Sequence, residues 1–148
     1  MQVLLDIDEY FVSELIVKEN PKYKPKKVYE GKTKIAYNIK RKGSDPLFMI
    51  NMAIQVGNPK NMIEQDPYYT SLKLTGLFRF LKETDENTIA KMIHLNGPSI
   101  LYGIARGVVA QATSNCVHGK YILPTINFIE LTKRKSAKKV LRKKRKKV

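Results

Sequence analysis

The stretch "LFMINMAIQVG" (residues 47–57) alternates without a fault: Phe48, Ile50, Met52, Ile54 and Val56 fall on one side, Asn51 and Gln55 on the other. A period of two is that of an extended strand with one dry face and one wet face. Neighbouring segments repeat the pattern. "TKIAYNIK" (33–40) sets Ile35, Tyr37 and Ile39 against Lys34, Asn38 and Lys40. "YYTSLKLTGLFRFL" (68–81) sets Leu72, Leu74, Phe78 and Phe80 against Ser71, Lys73, Thr75 and Arg79. "DEYFVSELIVKEN" (8–20) differs, being apolar on both sides, with Phe11, Leu15 and Val17 opposite Val12 and Ile16. Strict alternation, with one dry face and one wet face, predicts an antiparallel sheet. "GSDP" (43–46) makes a tight turn and "GNPKNMIEQDP" (57–67) a longer loop. "NPKYKPKKVYEG" (20–31), with two prolines and a run of lysines, is too long and polar for a hairpin and predicts a crossover of the sheet.

From Asp85 the period changes. "DENTIAKMIHL" (85–95) opens on an Asp cap with an acidic first turn, which predicts a helix. "NGPSILYGIARGVVAQATSN" (96–115) predicts a second, although Gly103 and Gly107 each cost about 1 kcal/mol there against alanine. At about 100° per residue, Leu101, Ile104, Ala105, Val108 and Ala112 form a bulky stripe suited to the sheet. Gly103, Gly107, Ala110 and Ser114 form a second stripe, roughly 140° away, almost free of side chains. A smooth stripe lets another helix come close. Two partners are open to it, the 85–95 helix of the same chain or the same helix of a second copy, and the economical one is the second copy with twofold symmetry. "KYILPTINFIEL" (120–131) is an apolar segment broken by Pro124, with a third helix expected from Thr125. Strands first and helices afterwards predict the α+β class, a four-stranded antiparallel sheet with helices packed on one face.

Of 148 residues 43% are apolar, enough for one core. The net charge of +15 is concentrated: residues 133–147 hold eleven Lys/Arg and no acid. The chain divides into a folded domain, 1–132, and a basic tail, 133–148, expected as a helical extension or disordered. The single cysteine, Cys116, allows no intrachain disulfide and fits a reducing cytoplasm. Asp6 and Asp8 stand where a signal peptide would be apolar, so none is expected, and no run of ~18 apolar residues predicts a membrane span.

The same residues carry a family likeness. "ILYGIARGVV" (100–109) resembles the "ILFPYAREVI" signature of SecB, the protein-export chaperone. "LPTINF" (123–128) resembles that family's "LAPVNF", "GLFRF" (76–80) its "GIFTI" and "YFVSELIVKENP" (10–21) its "IYVKDISFEAP". The four blocks keep the family's order and spacing. The resemblance implies a homotetramer, a dimer of dimers with a helical layer between outer sheets. It implies an ATP-independent holdase that takes unfolded or nascent polypeptides into apolar grooves, with protein transport as one use; some SecB-like proteins serve toxin–antitoxin systems instead. The sequence also departs from the family. Gly103-Ile104 replaces its Pro-Tyr, and Gly107 its glutamate. On the outer sheet face, where acidic residues dock the motor ATPase SecA, Glu14 matches, whereas Lys18 and Ser71 occupy two other such positions. With a basic tail in place of a polar or acidic one, these changes argue against SecA docking.

A holdase of this kind predicts a client groove between sheet edge, crossover and C-terminal segment. Its candidate lining is Tyr23 and Tyr29 on the crossover, Ile35, Tyr37 and Ile39 on the second strand, and Ile122, Ile126 and Ile129 near the end. Most such residues serve simply as core in an ordinary domain. Tyr23 and Tyr29 stand out because they lie among lysines and prolines.

No catalysis, cofactor or metal is expected. "EGKTK" (30–34) lacks the glycine five residues before Gly31 that a phosphate loop needs; Lys26 is there. His94 and His118 have no acidic cluster near them in sequence. The tail cations are Lys133, Arg134, Lys135, Lys138, Lys139, Arg142, Lys143, Lys144, Arg145, Lys146 and Lys147. Three roles compete for them: contact with rRNA or other nucleic acid, contact with an anionic lipid surface, or keeping an oligomer soluble. The rival to a chaperone is a ribosome- or nucleic-acid-associated protein acting through this tail.

Overall fold

A computed structural model describes residues 2–25 and 32–147. Four strands come first: β1 (Leu5–Glu19), β2 (Thr33–Arg41), β3 (Leu47–Val56) and β4 (Tyr68–Phe80). Two helices follow, α1 (Glu86–Thr113) and α2 (Phe128–Lys146). The strands pair antiparallel in the order β1-β4-β3-β2. β1 and β2 are therefore opposite edges; of the Pro/Lys-rich segment predicted to cross the sheet between them, residues 26–31 lie outside the described residues.

The alternation in the sequence becomes two faces. Phe48, Ile50, Met52, Ile54 and Val56 of β3 meet Leu72, Leu74, Phe78 and Phe80 of β4 on the buried side. The helices cover that side, α1 adding Ile89, Ile93, Leu101, Tyr102, Ala105 and Val109 to the core. Each large apolar side chain so buried contributes about 1.5–3 kcal/mol. Asn51, Thr75 and Asn38 form a hydrogen-bonded row on the other face.

Turn chemistry fixes the connections. Gly43 (φ +56°) sits in the β2–β3 hairpin and Gly57 (φ +78°) opens the long loop, both in the left-handed region where side chains are strained. The Arg41 guanidinium donates to the carbonyls of Ser44 and Asp45 and to both carboxylate oxygens of Glu86, so the hairpin is clamped to the start of α1. Asp85 caps α1 by accepting from the Thr88 amide. The Thr88 hydrogen bonds hold Asp85 below the usual carboxylate range, and Arg41 does the same for Glu86.

Three expectations need correction. The helices expected at 85–95 and 96–115 are a single helix that runs through Pro98. Gly97 and Pro98 are buried against the sheet, and packing on both sides of them overrides the local break. The buried stripe of its C-terminal half is Leu101, Tyr102, Ala105, Val109 and Thr113, rotated by about 60° from the predicted one. Ile104, Val108 and Ala112 are only half-buried. The last helix begins at Phe128 rather than Thr125, because Asn127 caps it through the amides of Ile129 and Glu130.

A candidate client groove

Residues 119–127 form an extended strap that returns along α1. Tyr68 and His118 begin it. The Tyr68 hydroxyl donates to the Gly119 carbonyl and accepts from the His118 amide. The His118 Nε2 lies 2.9 Å from the Asn20 carbonyl, an acceptor, so this nitrogen carries the hydrogen. Farther on, the Tyr121 amide donates to Thr113 Oγ1, Arg106 Nε donates to the Leu123 carbonyl, and the Tyr102 hydroxyl donates to the Pro124 carbonyl. Leu123 is the buried anchor, whereas Ile122 remains 55% exposed and Ile126 half-buried.

Burial pushes the Tyr102 phenol up to about 12. An unfolded chain loses that proton near 10, so the folded state holds it more tightly. The stability this group contributes is whole below pH 10 and disappears as pH rises towards about 12. Alkaline titration followed by tyrosinate absorbance should show a tyrosine ionising towards pH 12 that is absent from Tyr102→Phe. Losing the donor also leaves the Pro124 carbonyl without this partner, and the variant should be less stable by about 1 kcal/mol in urea.

Where the strap becomes α2, a groove of about 500 Å³ opens, lined by Leu95 and Ser99 of α1 and by residues 125–129. Ile129 stands at its rim, 51% exposed. α2 then passes over the β2 edge. The Phe128 ring lies edge-on to Tyr37 (6.1 Å) and to Tyr102 (5.6 Å), and Lys135 Nζ sits 3.3 Å above the Tyr37 ring.

The predicted residues thus fall into groups. Ile122, Ile126 and Ile129 share the strap and its continuation. Ile35, Tyr37 and Ile39 are half-buried against the core on the inner face of β2, with Tyr37 under α2. Tyr23 packs instead on His118, the two rings tilted with centroids 4.8 Å apart. Tyr29 lies outside the described residues. Gly103, Gly107 and Ser114 are exposed and Ala110 half-buried, and a Cβ on either glycine would meet nothing within 4 Å. The 85–95 segment is the same helix and cannot fold back onto this stripe. Sequence reasoning missed Phe128 and Lys135 as cover for Tyr37. It also missed the meaning of β1, an edge strand whose Tyr10, Phe11, Val12 and Leu15 are all exposed. The two-sided apolar pattern of β1 was the signal, since a strand that is greasy on both faces requires cover on both. On the outer face Glu14 pairs with Lys73 at 3.2 Å and accepts from Ser71. Among the described residues, no three His, Cys, Asp or Glu are grouped to hold a metal ion, and no helix is long and apolar enough to cross a membrane.

The family model for SecB, preprotein translocase subunit SecB, matches residues 3–139. The chain belongs to the SecB family. Among solved structures it is similar to a Mycobacterium tuberculosis SecB-like chaperone in complex with a ChAD peptide from the HigA1 antitoxin. That match has 14% identity and a TM-score of 0.53, and covers 84% of this chain and 91% of the other. A Streptococcus agalactiae protein of unknown function is similar at 11% identity and a TM-score of 0.43, over 82% of this chain and 97% of that one. No curated protein matches the sequence. Membership in the SecB family fits the α+β fold and a chaperone role. The four blocks of likeness fall on β1, β4, α1 and the strap, the elements that build the sheet, the helical stripe and the groove.

Proposed function

We propose that this SecB-family chain is a cytoplasmic, ATP-independent holdase that binds unfolded or nascent polypeptides along the strap of residues 119–127 and the first turn of α2. The observation that carries this reading is Ile126 and Ile129 lining an open groove, with Ile122 exposed farther back on the same strap, on a segment that hydrogen bonds from Tyr68, Tyr102, Arg106 and Thr113 and a buried leucine hold in place. Exposed isoleucines on a fixed backbone offer apolar surface to a client at little ordering cost. An antitoxin segment and an export substrate present the same chemistry to such a groove, apolar side chains on an unfolded chain. Peptide binding by the mycobacterial relative supports the reading.

We further propose a homotetramer, a dimer of dimers, with Gly103, Gly107, Ala110 and Ser114 at the helical seam. The bare stripe on α1, open to a close neighbour, and the exposed, two-sided apolar edge of β1 support this reading. Several grooves on one particle raise affinity for a long client by about 10²–10⁴. With Glu14 already paired to Lys73, Lys18 farther along the same strand and a cationic tail, general holding is the better assignment than docking to SecA. The test is aggregation of a chemically unfolded client on dilution. The purified protein should suppress it near stoichiometrically, with no effect of added ATP. No suppression at a several-fold molar excess would overturn the reading.

A further inference from the structure

α2 outlasts its contacts with the body. Its last ties are Leu131 against the core and Lys135 above Tyr37, and every described residue from 133 to 147 is exposed. The helix nevertheless continues to Lys146, so its charges are ordered rather than scattered. Arg134, Lys138, Arg142 and Lys146 form one row at four-residue spacing, with Lys135, Lys139, Lys143 and Lys147 in the row beside it. Successive cations in a row are separated by a rise of about 6 Å. Arg145 falls within the first row, and the cations from Arg134 round to Lys143 cover an arc of roughly 180°. The opposite arc mixes Ser136, Ala137, Val140 and Leu141 with Lys133, Lys144 and Lys147. No acid follows Glu130, so no part of the helix itself compensates this field. Like charges four apart weaken a helix in water, and only the last turn gains from the helix dipole. Burial and the neighbouring Lys139 lower the Lys135 ammonium, which is consistent with crowding of charge.

The partner that completes such a surface is a linear polyanion. A bilayer fits poorly. An interfacial helix inserts a continuous apolar arc, and Lys133, Lys144 and Lys147 interrupt the short one that Ala137, Val140 and Leu141 offer. A protein partner fits poorly as well, because the cores of protein interfaces are depleted of charge. Eight of the eleven cations are lysines, point charges that neutralise phosphates without reading base edges. We propose that residues 133–147 form a helical grip for the phosphodiester backbone of duplex RNA, independent of base sequence. The choice of RNA over DNA rests on the holdase reading, since unfolded chains emerge at a particle built largely of RNA; the phosphate contact itself does not.

The experiment uses the full chain and a fluorescent RNA duplex of arbitrary sequence, with binding followed by anisotropy across a salt series. If about eight cations engage, log K falls against log salt with a slope of about −7, near 10⁴-fold between 50 and 200 mM. Replacing Arg134, Lys138, Arg142 and Lys146 with Gln should flatten the slope by about 4 and cost at least about 100-fold in affinity at 100 mM salt. Suppression of client aggregation by this variant should be unchanged, which separates the two activities. No binding of RNA by the full chain at 50 mM salt, or an unchanged slope in the variant, would overturn the proposal. So would binding to vesicles rich in phosphatidylserine without binding to RNA. A DNA duplex held about tenfold tighter than the RNA would overturn the choice of RNA. Loss of client holding together with RNA binding would overturn the division of labour between strap and tail.

Discussion

Replacing Gly103 and Gly107 with leucine should make the isolated subunit more stable and the assembled protein fail. Neither glycine has a positive φ, and neither faces a neighbour within 4 Å of where a Cβ would stand. Within one subunit they only weaken the helix, by about 1 kcal/mol each, and leucine recovers most of that. If α1 packs on α1 of another copy through this stripe, eight added carbons per chain stand where two backbones have to meet. Overpacking of that kind typically costs about 1–3 kcal/mol per site and is repeated at each symmetric contact. Light scattering should then report a mass well below about 68 kDa, four times the chain's 17.0 kDa, while the urea midpoint of the subunit stays level or rises. Client holding should fall with the mass, because avidity is lost. Gly97 and Gly76 provide the contrast. A Cβ on Gly97 would lie 2.6 Å from Ile50 Cδ1, and one on Gly76 would lie 2.7 Å from the Phe78 ring. Leucine at either should damage the fold itself. A double leucine variant at 103 and 107 with unchanged mass would remove the seam from the stripe.

The sheet was legible because a strand's two faces meet different solvents, and the sequence has to encode that difference at every second residue. β3 and β4 show it in full, and their predicted ends fall within a residue of the observed ones. The edge position of β1 was less legible: its two apolar faces match a central strand as well as an edge strand covered by something else. Pro98 does not end the helix. It removes one amide, the partner of the carbonyl of His94, whose side chain is exposed. That loss is small beside the burial of Ile89 and Ile93 on one side and Leu101 and Ala105 on the other, all in the same core. The groove was legible only as residue types. Isoleucines near the end of the chain could be picked out, but their alignment depends on Tyr68, Tyr102, Arg106 and Thr113, which reach them from 8 to 51 residues away. Tyr23 was chosen for its polar surroundings in sequence, and His118, distant in sequence, turns out to be its neighbour.

Changing Ile122 and Ile129 together to serine should abolish client holding while leaving fold and assembly intact. Both side chains are more than half exposed, so the unbound protein loses little by the change. A bound client would bury them. Each isoleucine then contributes about 1–2 kcal/mol of apolar burial, and losing two weakens a complex by roughly 30- to 1000-fold. Ile126 is a poorer probe, because it is half-buried against the core and its loss would mix stability with binding. Val117 is a matched control: it is the most exposed large apolar residue of the described chain, it lies outside the strap, and Val117→Ser should leave holding unchanged. Tyr37 tests the geometry from the other side. It already lies under Phe128 and Lys135, so a client that uses the inner face of β2 has to displace α2, and one that uses the strap does not. Binding of an unfolded peptide, titrated by fluorescence, distinguishes the two. If the Ile122/Ile129 variant holds clients as well as the parent and Tyr37→Ala does not, the client lies under α2 rather than along the strap.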